Sequence, residues 1–126
     1  MIGKRYEIAQ RTRLALEHVF QAPVHEIVVM EYSLYARIHF GMQATTRPNR
    51  ILLAGSGAQF IADPELLLHE YYHVVRQWRT GCLTRWRYLK ECMRRGYWDN
   101  CYEREAREFT ARALEPYRRC LTQLPQ

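Results

Sequence analysis

Apolar residues recur at roughly helical spacing near the start of the chain. Tyr6, Ala9, Leu14 and the run from Leu16 to Phe20 form a stripe among arginines and glutamates, which predicts a helix over 2–20. Ala22-Pro23 interrupts it. HEIVVMEY (25–32) then has the β-branched content of a strand, and SLYARIHF (33–40) either extends that strand or forms a short helix. In ATTRPNRILLAGSG (44–57) a turn at Pro48-Asn49 leads into a strand from Arg50 to Ala54, which Gly55 and Gly57 end.

The following helix is announced by its own start signals. Asp63 is a good N-cap, Pro64 suits the first helical position, and Glu65 suits the positive end of the helix dipole. It is expected to run to about Trp78, with Thr80-Gly81 as its stop. LTRWRYLKECMRR (83–95) predicts a third helix ended by Gly96, with Trp86 and Leu89 toward the core and Arg85, Arg87 and Lys90 toward water. Asp99 or Asn100 caps a long last helix, kinked or restarted at Pro116. Without repeat, linker or low-complexity tract, 1–126 reads as a single α+β domain: a small sheet packed on a mostly helical body.

Composition narrows the function classes. Lys+Arg number 19 against 13 Asp+Glu, a net charge of +6, and only Lys4 and Lys90 are lysines. RQWRTGCLTRWRYLKECMRR (76–95) is the densest basic stretch. It suits an acidic partner, whether nucleic acid, protein or lipid surface; a solvated arginine-rich helix face is the plainer reading. The mixture of tryptophan and arginine there could stack on bases, but nucleic acid is not the expected partner. No run of 18 apolar residues is present, so no membrane span is expected. The charged N-terminus does not read as a secretory signal peptide. A cytoplasmic protein is expected, and export as an effector without such a signal stays compatible. Cys82, Cys92, Cys101 and Cys120 form no CxxC pair and are expected to be free thiols. GSG at 55–57 is a turn rather than a phosphate loop, since no GK[ST] follows.

The chemistry concentrates in LLLHEYYHVV (66–75). Leu66, Leu67, Leu68, Tyr71, Tyr72, Val74, Val75 and Trp78 make this helix apolar around most of its circumference, so it belongs inside the domain. His69, Glu70, His73 and Gln77 remain as one narrow polar stripe, and buried polar groups need partners or a metal. His69 and His73, four apart, lie on one face with Cα atoms roughly 6 Å apart, side by side as zinc ligands. Glu70 leans over the same place without binding. That is the HExxH arrangement, in which the glutamate takes a proton from the water that attacks a carbonyl.

A catalytic zinc takes three protein ligands and keeps one open position. His18, His25 and His39 lie upstream in poorly placed segments. DNCYEREARE (99–108) offers Glu103 as the expected third ligand, with Glu105 as its competitor. Asn100-x-x-Glu103 also fits a capping box, so periodicity alone leaves the choice open. Ala106 is small enough to let this helix approach the HExxH helix closely. Cys101, close to Glu103, is expected to be a buried thiol.

LLLHEYYHVVRQW followed by NCYEREAREF resembles the gluzincin metallopeptidases, whose signature is HExxH plus a glutamate on a later helix. Among them the chain is most similar to the small metallopeptidase domain of extracellular contractile injection system core proteins. There a turn and an isoleucine-rich strand precede HE-x-x-H-V-x-Q, as RPNRILLAG and Gln77 do approximately here. The resemblance covers about residues 44–112 and leaves the N-terminal helix outside it. It implies a zincin-like domain with a central HExxH helix, zinc held by His69, His73 and Glu103, and Glu70 as general base. It also implies that Arg50 to Ala54 is an edge strand able to hold an extended peptide. One departure is plain: many gluzincins place an aspartate three or four residues beyond the glutamate to orient a ligand histidine, and this chain has Arg107. Asp99 and Glu108 are the substitutes within reach, and Tyr97, Tyr102 and Tyr117 are the candidates for stabilising an oxyanion. The expected function is zinc-dependent hydrolysis of peptides or proteins, with the basic surface open to a protein partner. The alternatives are an inactive zinc-binding interaction domain or a basic nucleic-acid-associated module.

Overall fold

In the computed structural model, which describes residues 3–33 and 43–123, a four-stranded mixed sheet packs with helices in an α+β arrangement. In chain order the elements are β1 (Lys4–Tyr6), α1 (Gln10–Phe20), β2 (Val28–Glu31), β3 (Ala44–Arg47), β4 (Arg50–Leu53), α2 (Gly57–Ile61), α3 (Pro64–Tyr72), a π-helical turn (His73–Trp78), α4 (Arg85–Asp99) and α5 (Cys101–Gln123). The expected strand or helix over SLYARIHF lies outside the described residues, apart from Ser33, and so does His39.

The sheet order is β1-β2-β4-β3, with β2 and β4 parallel and both outer pairs antiparallel. Two sequence expectations are corrected here. Residues 4–6 are not helical: Lys4, Arg5 and Tyr6 pair with Glu31, Met30 and Val29, and α1 begins only at Gln10. The side of β2 away from β4 offers backbone donors and acceptors that a strand at Lys4–Tyr6 pairs and a longer α1 would leave open. Second, β4 is not an edge strand. Arg47 pairs with Arg50 across Pro48-Asn49, and Asn49 takes the positive φ of 57° that such a turn requires. This hairpin adds β3 outside β4, so among the described residues the edges of the sheet are β1 and β3. Being interior explains why Ile51, Leu52 and Leu53 are all buried.

The core lies where Ala15, Leu16 and Phe20 of α1, Ile51 and Leu53 of β4, Leu67, Leu68 and Tyr71 of α3, and Ala113 and Tyr117 of α5 meet. Asp63 caps α3 by accepting from the Leu66 N–H, as its sequence position predicts. Ser56 and Gln59 close a capping box on α2, where a turn was expected to end the strand. The expected single helix to Trp78 changes character at His73: the Arg79 N–H reaches back to the Val74 carbonyl at 3.0 Å, and the wider turn ends near Gly81 at φ 80°. Gly96 takes φ 78° and breaks α4 where a stop was expected. α5 runs on through Pro116.

α4 departs most from expectation. It buries none of its residues, and Trp86 and Leu89, expected in the core, are exposed. Its inward face is instead Tyr88, Glu91 and Cys92, whose side chains all bond to α5 or to its cap.

Candidate metal centre

α3 and α5 pack face to face, and Ala106, with no exposed surface, lets them come close. This brings the side chain of Glu103 onto the polar stripe of α3. Its Oε1 lies 2.8 Å from His69 Nε2 and 3.1 Å from His73 Nε2, with the two imidazole rings edge to face at 4.8 Å. Ligand atoms from all three residues lie within 4.8 Å of one another. Donors about 2.0–2.1 Å from one tetrahedral zinc stand roughly 3.3 Å apart, so the two spacings to Glu103 need to open by only a few tenths of an ångström. Two imidazole nitrogens and one carboxylate oxygen are also the donor chemistry zinc prefers. The residues present fit the ion.

The choice left open between Glu103 and Glu105 is decided by direction. Glu105 faces away from the cluster and accepts from Gln77 Nε2 at 3.2 Å. Glu103 does not form the capping box either. Asn100 caps α5 alone, its Oδ1 accepting from the Tyr102 N–H at 2.8 Å, while both carboxylate oxygens of Glu103 are engaged with α3 and α4. His18 and His25 are exposed and do not belong to this group.

Two residues that the sequence did not assign complete the surroundings. Gln77, fully buried, accepts from His73 Nδ1 at 2.6 Å, and its Nε2 donates to the Tyr102 carbonyl at 3.0 Å as well as to Glu105. With the amide nitrogen held by two oxygens, its Oε1 must face the imidazole, which fixes the proton on Nδ1 and leaves Nε2 facing Glu103. Tyr88 donates its O–H to Glu103 Oε2 at 2.6 Å, which leaves Oε1 for the cluster. Asp99 and Glu108 are exposed and bond neither imidazole, so they are not the orienting residues that the sequence offered in place of an aspartate at 107. Gln77 already stood out as part of the polar stripe of its helix. Tyr88 could have been found only by choosing the correct inward face of α4.

Electrostatics follow from burial among these partners. Burial alone would lower the His73 pKa, but the bond and charge of Glu103, the charge of Glu70 and the bond to Gln77 outweigh it and raise it to about 9. His73 is then an imidazolium that donates to both Gln77 and Glu103. Burial would raise the Glu103 carboxyl, yet its bonds from His69, His73 and Tyr88 hold it well below the usual carboxylate range. Glu70 is pushed the other way: burial raises it, with the charges of His73 and His69 opposing and that of Glu103 assisting. Two carboxylates within one site are thereby driven apart in acidity.

The cluster opens onto a cleft of about 660 Å³, where His69, Glu70 and Glu103 are joined by Tyr97 and Arg107. Of the three tyrosines considered for an oxyanion, Tyr97 lines this cleft, Tyr102 donates to the Cys82 carbonyl, and Tyr117 sits in the core. Arg107 stacks 3.8 Å over the Trp98 ring and donates to the Trp98 carbonyl at 2.6 Å. All four cysteines are free, and Cys101 is half-buried rather than buried. Among the described residues no helix is long and apolar enough to cross a membrane. Comparison of the chain with protein-family models, with curated proteins and with solved structures finds no match.

Proposed function

We propose that the chain is a minimal zinc peptidase of the gluzincin type, with a zincin-like domain built around the HExxH helix. One observation carries the reading: Glu103 Oε1 sits between the Nε2 atoms of His69 and His73, with the buried carboxylate of Glu70 beside them on the wall of an open cleft. His69, His73 and Glu103 would hold zinc. When bound, the ion supplies Lewis-acid polarisation of a peptide carbonyl and lowers the pKa of water toward neutrality.

The chain's own groups do the rest. Gln77 holds the tautomer of His73, and Tyr88 fixes the Glu103 carboxylate in rotation. Burial makes Glu70 a stronger base than an exposed glutamate, so it can take up a proton at neutral pH and return it to a leaving amine. Tyr97, on the same cleft, is placed to donate to an oxygen that gains negative charge. The open cleft suits an extended segment of a peptide or an unfolded protein.

Metal analysis and cleavage together test the reading. Wild-type protein is expected to carry about one zinc per chain and His69→Ala close to none. Glu70→Gln is expected to keep its zinc and to lose cleavage of an unfolded protein substrate. A wild type without zinc refutes the metal site. Zinc retention with equal cleavage by both proteins, or with none by either, removes the peptidase and leaves a zinc-binding interaction domain.

A further inference from the structure

Up to the break at Gly96, α4 is held to α5 from one side, and Arg87 ties its start to the Gly81 and Cys82 carbonyls. Tyr88 donates to Glu103, Glu91 accepts from the Cys101 N–H at 3.1 Å, and Cys92 Sγ accepts from Asn100 at 3.1 Å. The opposite side presents Trp86, Leu89 and Met93, which are 80%, 50% and 80% exposed. At 100° per residue these three fall within about 60° of one another, a continuous apolar stripe along the outer face. Single exposed apolar residues need no explanation, but a contiguous stripe beginning with an indole does. The margins of the stripe are basic, with Arg85 on one side and Arg87, Lys90 and Arg94 on the other. The one acid of this segment, Glu91, is turned inward to the backbone of α5 and pairs with Arg94 at 3.7 Å and Arg95 at 3.6 Å. Among the described residues this leaves Arg85 and Lys90 as the cations of these margins with neither an acid nor a carbonyl as partner.

We infer that this face of α4 binds an anionic lipid surface. The helix lies flat, with Trp86, Leu89 and Met93 at the boundary between headgroups and acyl chains and the cations beside them on lipid phosphates and carboxylates. Charge selects the occupant. A second copy docked on the same face would set this cation cluster against itself. An acidic protein groove gains its area by wrapping a helix, whereas the inner side of α4 is already filled by α5. A planar surface needs only the outward stripe, and indole rings favour the membrane–water interface. The stripe and its margins contain no zinc-ligating residue, so the inference stands apart from the peptidase reading.

Cosedimentation of the full chain with vesicles tests it. The protein is expected to partition onto phosphatidylcholine vesicles containing about 30 mol% phosphatidylserine, and at least about twenty-five-fold less onto pure phosphatidylcholine. Trp86→Ser combined with Met93→Ser should weaken the partitioning by about tenfold through the apolar stripe. Arg85→Gln combined with Lys90→Gln should weaken it by about twenty-five-fold, at roughly fivefold per cation. All four positions are exposed, so circular dichroism and zinc content are expected to be unchanged. Equal partitioning onto both vesicle types, or onto neither, overturns the inference, the latter in favour of an acidic protein. So does wild-type partitioning by the Trp86→Ser/Met93→Ser protein, which would reduce the contact to unspecific charge attraction.

Discussion

Replacing Gln77 with leucine is the most informative perturbation of the site, because Gln77 is fully buried and meets the ligand cluster only through His73. Leucine is close in volume, so the core stays filled while the amide disappears. Three bonds go with it: the 2.6 Å contact with His73 Nδ1 and the donations to the Tyr102 carbonyl and Glu105. In the metal-free protein the lost bond to a charged imidazole corresponds to about 1.5–3 kcal/mol of stability. In the zinc-bound protein the imidazole loses the partner that fixes its tautomer and direction. Loss of such an outer partner lowers metal affinity by about 10–100-fold, or roughly 1.4–2.7 kcal/mol.

The two effects separate by assay. Zinc competition against a chromophoric chelator reads the affinity, and denaturant unfolding in the presence of a strong chelator reads the metal-free stability. Gln77→Glu is the companion variant. It restores an acceptor for His73 but sets a second carboxylate near Glu105, so zinc affinity should recover while metal-free stability does not. A Gln77→Leu protein that binds zinc as tightly as wild type, even if less stable, would refute the orienting role. Gln77 would then be a core-filling amide and nothing more.

Four further expectations follow from the same geometry. Because His73 is raised to about 9 from 6.5, its contribution to metal-free stability is complete below the ordinary value and is lost as pH rises through about 9. Zinc must displace that proton, so Kd measured from neutrality toward pH 9 should fall by about tenfold per pH unit; a flat profile contradicts a protonated His73. Burial raises Glu70, so stability falls as pH rises above its ordinary 4.5, and metal-free Glu70→Gln should melt above wild type at neutral pH; an unchanged melting temperature contradicts the desolvated carboxylate. Tyr88→Phe removes the 2.6 Å bond to Glu103 and should weaken zinc binding by about tenfold in the same competition assay. A Cβ at Gly57 would fall within the Tyr6 ring, so Gly57→Ala should destabilise the fold by about 1–3 kcal/mol in denaturant unfolding while zinc affinity holds.

The legible parts of the chain were those where a local signal has a single physical meaning. Asp63-Pro64 starts a helix whatever lies around it, and an apolar helix with one polar stripe must face that stripe toward partners. Both could be read before any neighbour was known. Illegible parts were those in which two faces or two pairings satisfy the same letters. In α4, Trp86 and Leu89 are the apolar choice for a core, yet the inward side is the one that can reach α5 with a tyrosine, a glutamate and a thiol. Lys4 to Tyr6 carries a weak pattern of its own and becomes a strand only because β2 offers an open edge. The interior position of β4 likewise depends on ATTR folding back through Pro48-Asn49, and four polar-to-small residues give that little local emphasis.

Arg107 shows how a missing motif residue can be accounted for by position rather than by substitution in place. In the resembled pattern the histidine is oriented from the later helix, so an arginine four residues after Glu103 looks like a lost support. Here the support comes from the helix of the histidine itself: Gln77 follows His73 by four residues and is anchored by Tyr102 and Glu105, which lie on the opposite side of α5 from the cleft-lining Arg107. The π-helical turn from His73 to Trp78 coincides with this arrangement, keeping Gln77 on the polar face while Val74 and Val75 stay in the core. Position 107 is thereby released from orienting His73. Its guanidinium stacks on Trp98 and faces the cleft, where a positive charge meets whatever occupies the cleft rather than the His73 imidazole.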